Sequence, residues 1–100
     1  WFHGKFTRFY SHADKAVACS AATSVAINLE IGGTDVTGGV ITINSTTQNT
    51  LGEFTSGTGI TAANYFSEGS LVDVEAVLTA AAPTAGRVHL YAECETEPGV

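Results

Sequence analysis

The residues able to do chemistry are few and scattered. The three histidines, His3, His12 and His89, stand at no i,i+2 or i,i+4 spacing that would set two rings on one face of a strand or helix for a metal, so they read as polar positions rather than ligands. Asp73 and Glu75 do share a strand face, and paired acids could serve glycoside chemistry or a calcium ion. Calcium wants several converging oxygens, and same-face carboxylates are ordinary on a solvated strand. Serine, histidine and aspartate are all present, but without a GxSxG elbow or an oxyanion loop after a strand. GGTD and SEGS match no EF-hand loop, and GTGIT lacks the lysine and helix start of a phosphate loop. The chain therefore reads as non-enzymatic, with no catalytic residue, metal or cofactor assigned.

Cys19 and Cys94 lie far apart and outside any CxxC or Cys/His spacing. Two readings stand for them: a buried free thiol at Cys94, or a disulfide from Cys19 to Cys94 that ties the first strand to the last. Asn44-Ser45-Thr46 fits a glycosylation acceptor in a loop, which matters only in a eukaryotic secretory setting. Trp1, Phe2, Phe54, Tyr65, Phe66 and Tyr91 could include a sugar-stacking platform, although aromatics in a small domain more often fill its core.

The elements that must position these residues are strands. LVDVEAVLT places Val72, Val74, Ala76 and Leu78 on one face, and RVHLYAE does the same for Val88, Leu90 and Ala92; the intervening AAAPTAG makes the pair read as a β-hairpin. Val25, Ile27, Leu29 and Ile31 alternate in a further strand, and Ile41 and Ile43 in VITIN. The pairs Gly32-Gly33 and Gly38-Gly39 predict tight reversals, and Ser67-Glu68-Gly69-Ser70 a turn. Asn44 to Thr50 has no periodicity and reads as an exposed loop. The segment after Asp14-Lys15, an expected turn or edge irregularity, is Ala-rich to Ala22 and is the one place where a helical turn fits. The tail from Glu95 to Val100 is expected to fray.

The 100 residues suit a single domain. Counting gives about seven to eight short strands, hence an all-β antiparallel sandwich of jelly-roll or Ig-like kind, with Val25, Ile27, Leu29, Ile31, Ile41, Ile43, Val72, Val74, Leu78, Val88 and Leu90 as its core. A net charge of −6 and a pI near 4.7 argue against nucleic acid and anionic membranes as partners. No apolar run approaches the roughly 20 residues of a transmembrane helix, and nothing at the start resembles a signal peptide. Against this acidic body, Trp1 to Tyr10 holds five aromatics together with Lys5 and Arg8, half of the chain's positive charge. Trp1, Phe2, Lys5, Phe6 and Arg8 form a candidate docking arm or first strand; equally, Trp1 and Phe2 could cover the end of the sandwich.

The succession SVAINLEIGGTDVTGGVITI, then NYFSEGSLVDVEAVLTAAAPTAGRVHLYAE, resembles small β-sandwich virion proteins of tailed bacteriophages, such as head decoration and head fibre proteins, and the closing strands of trimeric jelly-rolls. The resemblance covers about two thirds of the chain and rests on turns and strand patterns; Ser70 stands where such jelly-rolls usually place Asp. It implies a virion structural protein on the particle surface, binding the major capsid protein or other virion proteins, as a homo-oligomer with a trimer favoured. The alternative is a carbohydrate- or receptor-binding module of a tail fibre or adhesin, acting extracellularly or at a cell surface on a glycan.

Overall fold

The computed structural model describes residues 2–46, 52–57, 59–80 and 82–98. Among the described residues, seven strands form two antiparallel sheets, a β-sandwich. They are β1 (Phe2–Ala18), β2 (Ser24–Ile31), β3 (Thr34–Asn44), β4 (Phe54–Ser56), β5 (Tyr65–Ser67), β6 (Val72–Thr79) and β7 (Ala85–Pro98).

The first sheet is built on β1. One edge of β1 pairs with β7 from Phe2↔Pro98 to Ala18↔Ala85, and the other edge is shared end to end by β5, at His3 to Lys5, and β4, at Tyr10 to His12. Asn64 bridges the gap between those two short strands, its backbone carbonyl accepting from the Phe6 amide at 2.9 Å and its side-chain amide donating to the Phe6 carbonyl at 2.7 Å. Two of the strands are thus long, at 17 and 14 residues, rather than short as expected. The one stretch where a helical turn could fit, Asp14 to Ala22, forms none: the ladder to β7 holds Asp14 to Ala18 extended, and pairing overrides alanine's helical preference. Asp14 is instead the extra residue of a β-bulge between Ala13 and Lys15. The tail does not fray where expected either, since Glu95, Thr96, Glu97 and Pro98 pair with β1.

The second sheet runs β3, β2, β6. Gly32 and Gly33, with φ of 59° and 83°, make the two-residue turn between Ile31 and Thr34, the pair of positive φ values that a type I′ hairpin requires. Gly38-Gly39 does not reverse the chain. It lies inside β3, in a wide bulge that sets Val36 to Gly39 against Leu29 alone. Gly38 has φ 85°, and a Cβ there would collide with the Gly59 carbonyl oxygen, so the bulge exists to let the segment after β4 press against β3. Reciprocal hydrogen bonds at 3.0 Å between Thr37 and the residues Thr61 and Ala62 fix that contact, and the Gly57 amide donates to the Phe9 carbonyl at 2.8 Å. One side of the sandwich is closed by this segment.

The other side is open, and it corrects the reading of the closing strands. β6 and β7 do not form a hairpin: β6 pairs with β2 in one sheet and β7 with β1 in the other, and the segment between them crosses from sheet to sheet. Alternation had correctly assigned the faces. Val72, Val74, Ala76 and Leu78 stand opposite Ile31, Leu29, Ile27 and Val25 on the core-facing side of β2. They are nevertheless uncovered, with Val72, Val74 and Leu78 at 41%, 46% and 47% exposure. Among the expected core residues Ile27, Leu29, Ile41 and Ile43 are buried, while Val25, Ile31, Val88 and Leu90 are half-buried against the cluster. The cluster is completed by Phe6, Phe9, Val17 and Val36.

Candidate functional site

The outward face of the β1–β7 ladder collects all four lysines and arginines, with Glu93, Glu95, Tyr10 and Tyr91. Cross-strand pairing sets Lys5 opposite Glu95, Arg8 opposite Glu93, Tyr10 opposite Tyr91, His12 opposite His89, and Lys15 opposite Arg87. Lys5 Nζ lies 3.8 Å from Glu95 Oε2, and Arg8 Nη1 3.5 Å from Glu93 Oε1. Arg8 also donates to Ser56 Oγ at 3.3 Å and stacks over the Tyr10 ring at 4.3 Å, a cation–π contact. Arg87 Nε donates to Asp14 Oδ2 at 2.6 Å, and His89 Nε2 lies 3.6 Å from the same oxygen. The hydrogen bond and positive charge of Arg87 pull the Asp14 carboxyl below the ordinary carboxylate range, with a smaller contribution from His89.

The second sheet presents an acidic face. Glu30 pairs with Asp35 on one side and Asp73 on the other, and Asn28 pairs with Glu75. Ligand oxygens of Glu30, Asp35 and Glu75 converge within 4.8 Å of one another, so the carboxylate pair read from Asp73 and Glu75 gains its partners from β2 and β3. The chemistry available to such a cluster is proton sharing or a hard cation. The Glu30 carboxyl is raised above its usual range chiefly by its hydrogen bond to Asp35, then by desolvation and the charges of Glu75, Asp73 and Asp35.

Of the expected interface residues, Lys5 and Arg8 lie on the outward ladder, whereas Phe6 is 7% exposed and packs its ring on Phe66 at 4.8 Å between centroids. Residues 2–10 belong to the central strand and do not project as an arm. Trp1 lies outside the described residues; Phe2 is placed by its pairing with Pro98. The intrachain disulfide is not formed: Cys19 and Cys94 are free thiols. Cys94 stands opposite Phe6 and Cys19 follows Ala18, so the length of β1 between them, on the order of 40 Å at about 3.3 Å per residue, rules out bridging. Cys94 is also exposed rather than buried. Of the aromatics considered for sugar stacking, Phe66 is half-buried, Tyr65 is 68% exposed and Tyr91 is 42% exposed. Tyr65, His3, Lys5 and Glu95 line a recess of about 320 Å³. Asn44 closes β3, its Oδ1 accepting from the Thr46 amide at 2.9 Å and hydroxyl at 2.8 Å; the rest of the expected loop, from residue 47 to 50, lies outside the described residues.

Sequence reasoning missed the open side and the cross-strand meeting of Asp14, His12 and His89. On the open side Val17, Val25, Ile43, Leu78 and Val88 help line an apolar cavity of about 420 Å³ between the sheets. No family model, curated protein or solved structure matches the chain.

Proposed function

We propose that the chain is a non-catalytic structural module that works by assembly, in many copies, on the surface of a phage-like particle, where it binds and stabilises capsid or other virion proteins. The observation that carries the assembling role is the row Val72, Val74 and Leu78, opposite Ile31, Leu29 and Val25 yet uncovered, on the side where the outer edges of β6 and β7 have no strand beside them among the described residues. A sandwich closed on one side and apolar on the other is complete only against another surface. The strand and turn pattern running from Ser24 to Glu93 supports the placement on a particle. The test is mass spectrometry of purified particles with copy counting: a fixed multiple of the capsid protein is expected, and absence from particles defeats the reading.

A second reading, a glycan-binding module, is favoured by Tyr65, an exposed ring beside His3, Lys5 and Glu95. Under it, wild type binds on a glycan array and Tyr65→Ala does not. A blank array removes this reading and leaves the first intact.

A further inference from the structure

From the free edge of β7 we infer that two copies of this chain pair β7 to β7, antiparallel, about a two-fold axis at Tyr91. The inference deepens the assembling role proposed above, and rests on it, by naming the occupant of the open side as a second copy.

Three features of β7 converge on that register. First, its outer edge has no strand beside it among the described residues. Ala13 donates to Glu53 and accepts from Gly52, and the Phe9 carbonyl accepts from Gly57, so these β1 residues turn their backbone groups away from β7. Antiparallel alternation then turns Tyr10 and His12 toward β7, engages the backbone of Tyr91 and His89 with β1, and leaves that of Val88, Leu90 and Ala92 pointing outward. Pairing about Tyr91 joins Leu90 to the second copy's Ala92 and Ala92 to the second copy's Leu90, using those outward groups.

Second, the outward side chains read Arg87, His89, Tyr91, Glu93, Glu95: basic in one half, acidic in the other, and antisymmetric about Tyr91. Pairing about Tyr91 sets Arg87 against the second copy's Glu95 and His89 against the second copy's Glu93. The ion pairs to β1 continue the pattern, Glu95 with Lys5 and Arg87 with the bulged Asp14, although Lys15 is the residue opposite Arg87 in the register. Across the seam the charges alternate as Lys5, Glu95, the second copy's Arg87, the second copy's Asp14. At the axis the two Tyr91 rings meet at a non-hydrogen-bonded position, the closer kind of cross-strand pair, and extend the Tyr10–Tyr91 stack.

Third, the seam lies on the open side, where Leu78 of β6 and Val88 of β7 line one cavity. A second copy there sets its own apolar row beside Val72, Val74 and Leu78, lengthening the strip along the open side. The other edge cannot pair with itself as well: Asp73 and Glu75 beside Glu30 and Asp35 would set like charges opposite one another. Pairing of β6 with a second copy's β7 uses only the basic half of β7 and propagates head to tail into rings or filaments.

Charge exchange in the full chain tests this. Arg87→Glu alone, and Glu93→Arg with Glu95→Arg, should each weaken the dimer at least tenfold in sedimentation equilibrium while keeping a cooperative melt, and an equimolar mixture should restore a heterodimer near wild-type affinity. Tyr91→Cys, in a background with Cys19→Ser and Cys94→Ser, should oxidise to a covalent dimer even if the charge variants fold poorly. A wild-type monomer at hundred-micromolar concentration, a mixture that stays monomeric, a Tyr91→Cys chain that does not cross-link, or a trimer or larger ring abolished by Asp73→Lys with Glu75→Lys overturns the inference. Particle copy counting is read separately. Copies on particles without this dimer refute only the seam, whereas the dimer without particles refutes only the placement.

Discussion

Tyr10 and Tyr91 face one another across the β1–β7 ladder with ring centroids 5.1 Å apart and planes 17° from parallel. Stacked aromatic pairs couple by about 0.5–1.5 kcal/mol beyond their buried area. A double-mutant cycle with Tyr10→Ala and Tyr91→Ala, read by urea denaturation at concentrations where the protein is monomeric, should return a coupling of about that size. Additive single effects would show the rings to be neighbours without interaction.

Leu29 and Val74 are direct cross-strand partners on the same face, yet Leu29 is 2% exposed and Val74 46%. Leu29→Asp should cost about 3 kcal/mol or more, because a carboxylate is left buried and unpaired. Val74→Asp should cost the monomer less than about 1 kcal/mol. Equal losses in chemical denaturation would mean that Val74 is covered within its own chain.

Gly33 and Gly38 both have positive φ, but only Gly38 has a neighbour where a side chain would go. Gly38→Ala should destabilise by about 2 kcal/mol or more, since strain and collision with Gly59 add. Gly33→Asn should cost a few tenths, because asparagine tolerates the left-handed region and the space is open. Thermal melts of the two variants check the contrast.

Acidification should act in two stages. Glu30 has a raised carboxyl pKa in the folded state, so the native chain binds the proton more readily than the unfolded one, and stability rises as pH falls through the window just above the ordinary glutamate value. Asp14 has a lowered pKa, so its contribution is present above the ordinary aspartate value and is lost as pH falls further, through its folded value. Glu30→Gln should abolish the first stage and Asp14→Asn should shrink the second. Melting temperature against pH, at fixed ionic strength, reads both.

Cys94 is exposed and Cys19 half-buried, both as thiols. In the native state Cys94 should label faster with a thiol reagent, and a reductant should leave the melting temperature unchanged. A fall on reduction would indicate a bond between chains.

Much of the second sheet was legible because β2 and the end of β3 alternate cleanly and Gly32-Gly33 can only be a hairpin turn. Phe6 and Phe9 were not, since a period of two places them on opposite faces. The extra residue at Thr7 shifts the register, and both rings reach the core. A bulge leaves no mark in composition. The closing strands show the same limit differently: alternation determines the faces of β6 and β7 but not their partners, so adjacency in sequence does not establish adjacency in space. The outward ladder was half visible. Lys5, Arg8 and Tyr91 were each singled out, but their meeting with Glu95, Glu93 and Tyr10 depends on pairing over more than eighty positions of sequence.

The pairing of β1 with β7 also orders events during biosynthesis. Sheet β3–β2–β6 can assemble as soon as Thr79 has left the ribosome, since all its partners precede that residue. β1 can take β4 and β5 on one edge once Ser67 has emerged, but its other edge must wait for β7 and stays open until Ala92 and Cys94 follow. Closing so long a loop is the slow step of such a topology. Until then the emerging chain carries a long strand with one open edge, and that edge is where a chaperone or a premature contact with another nascent copy would act.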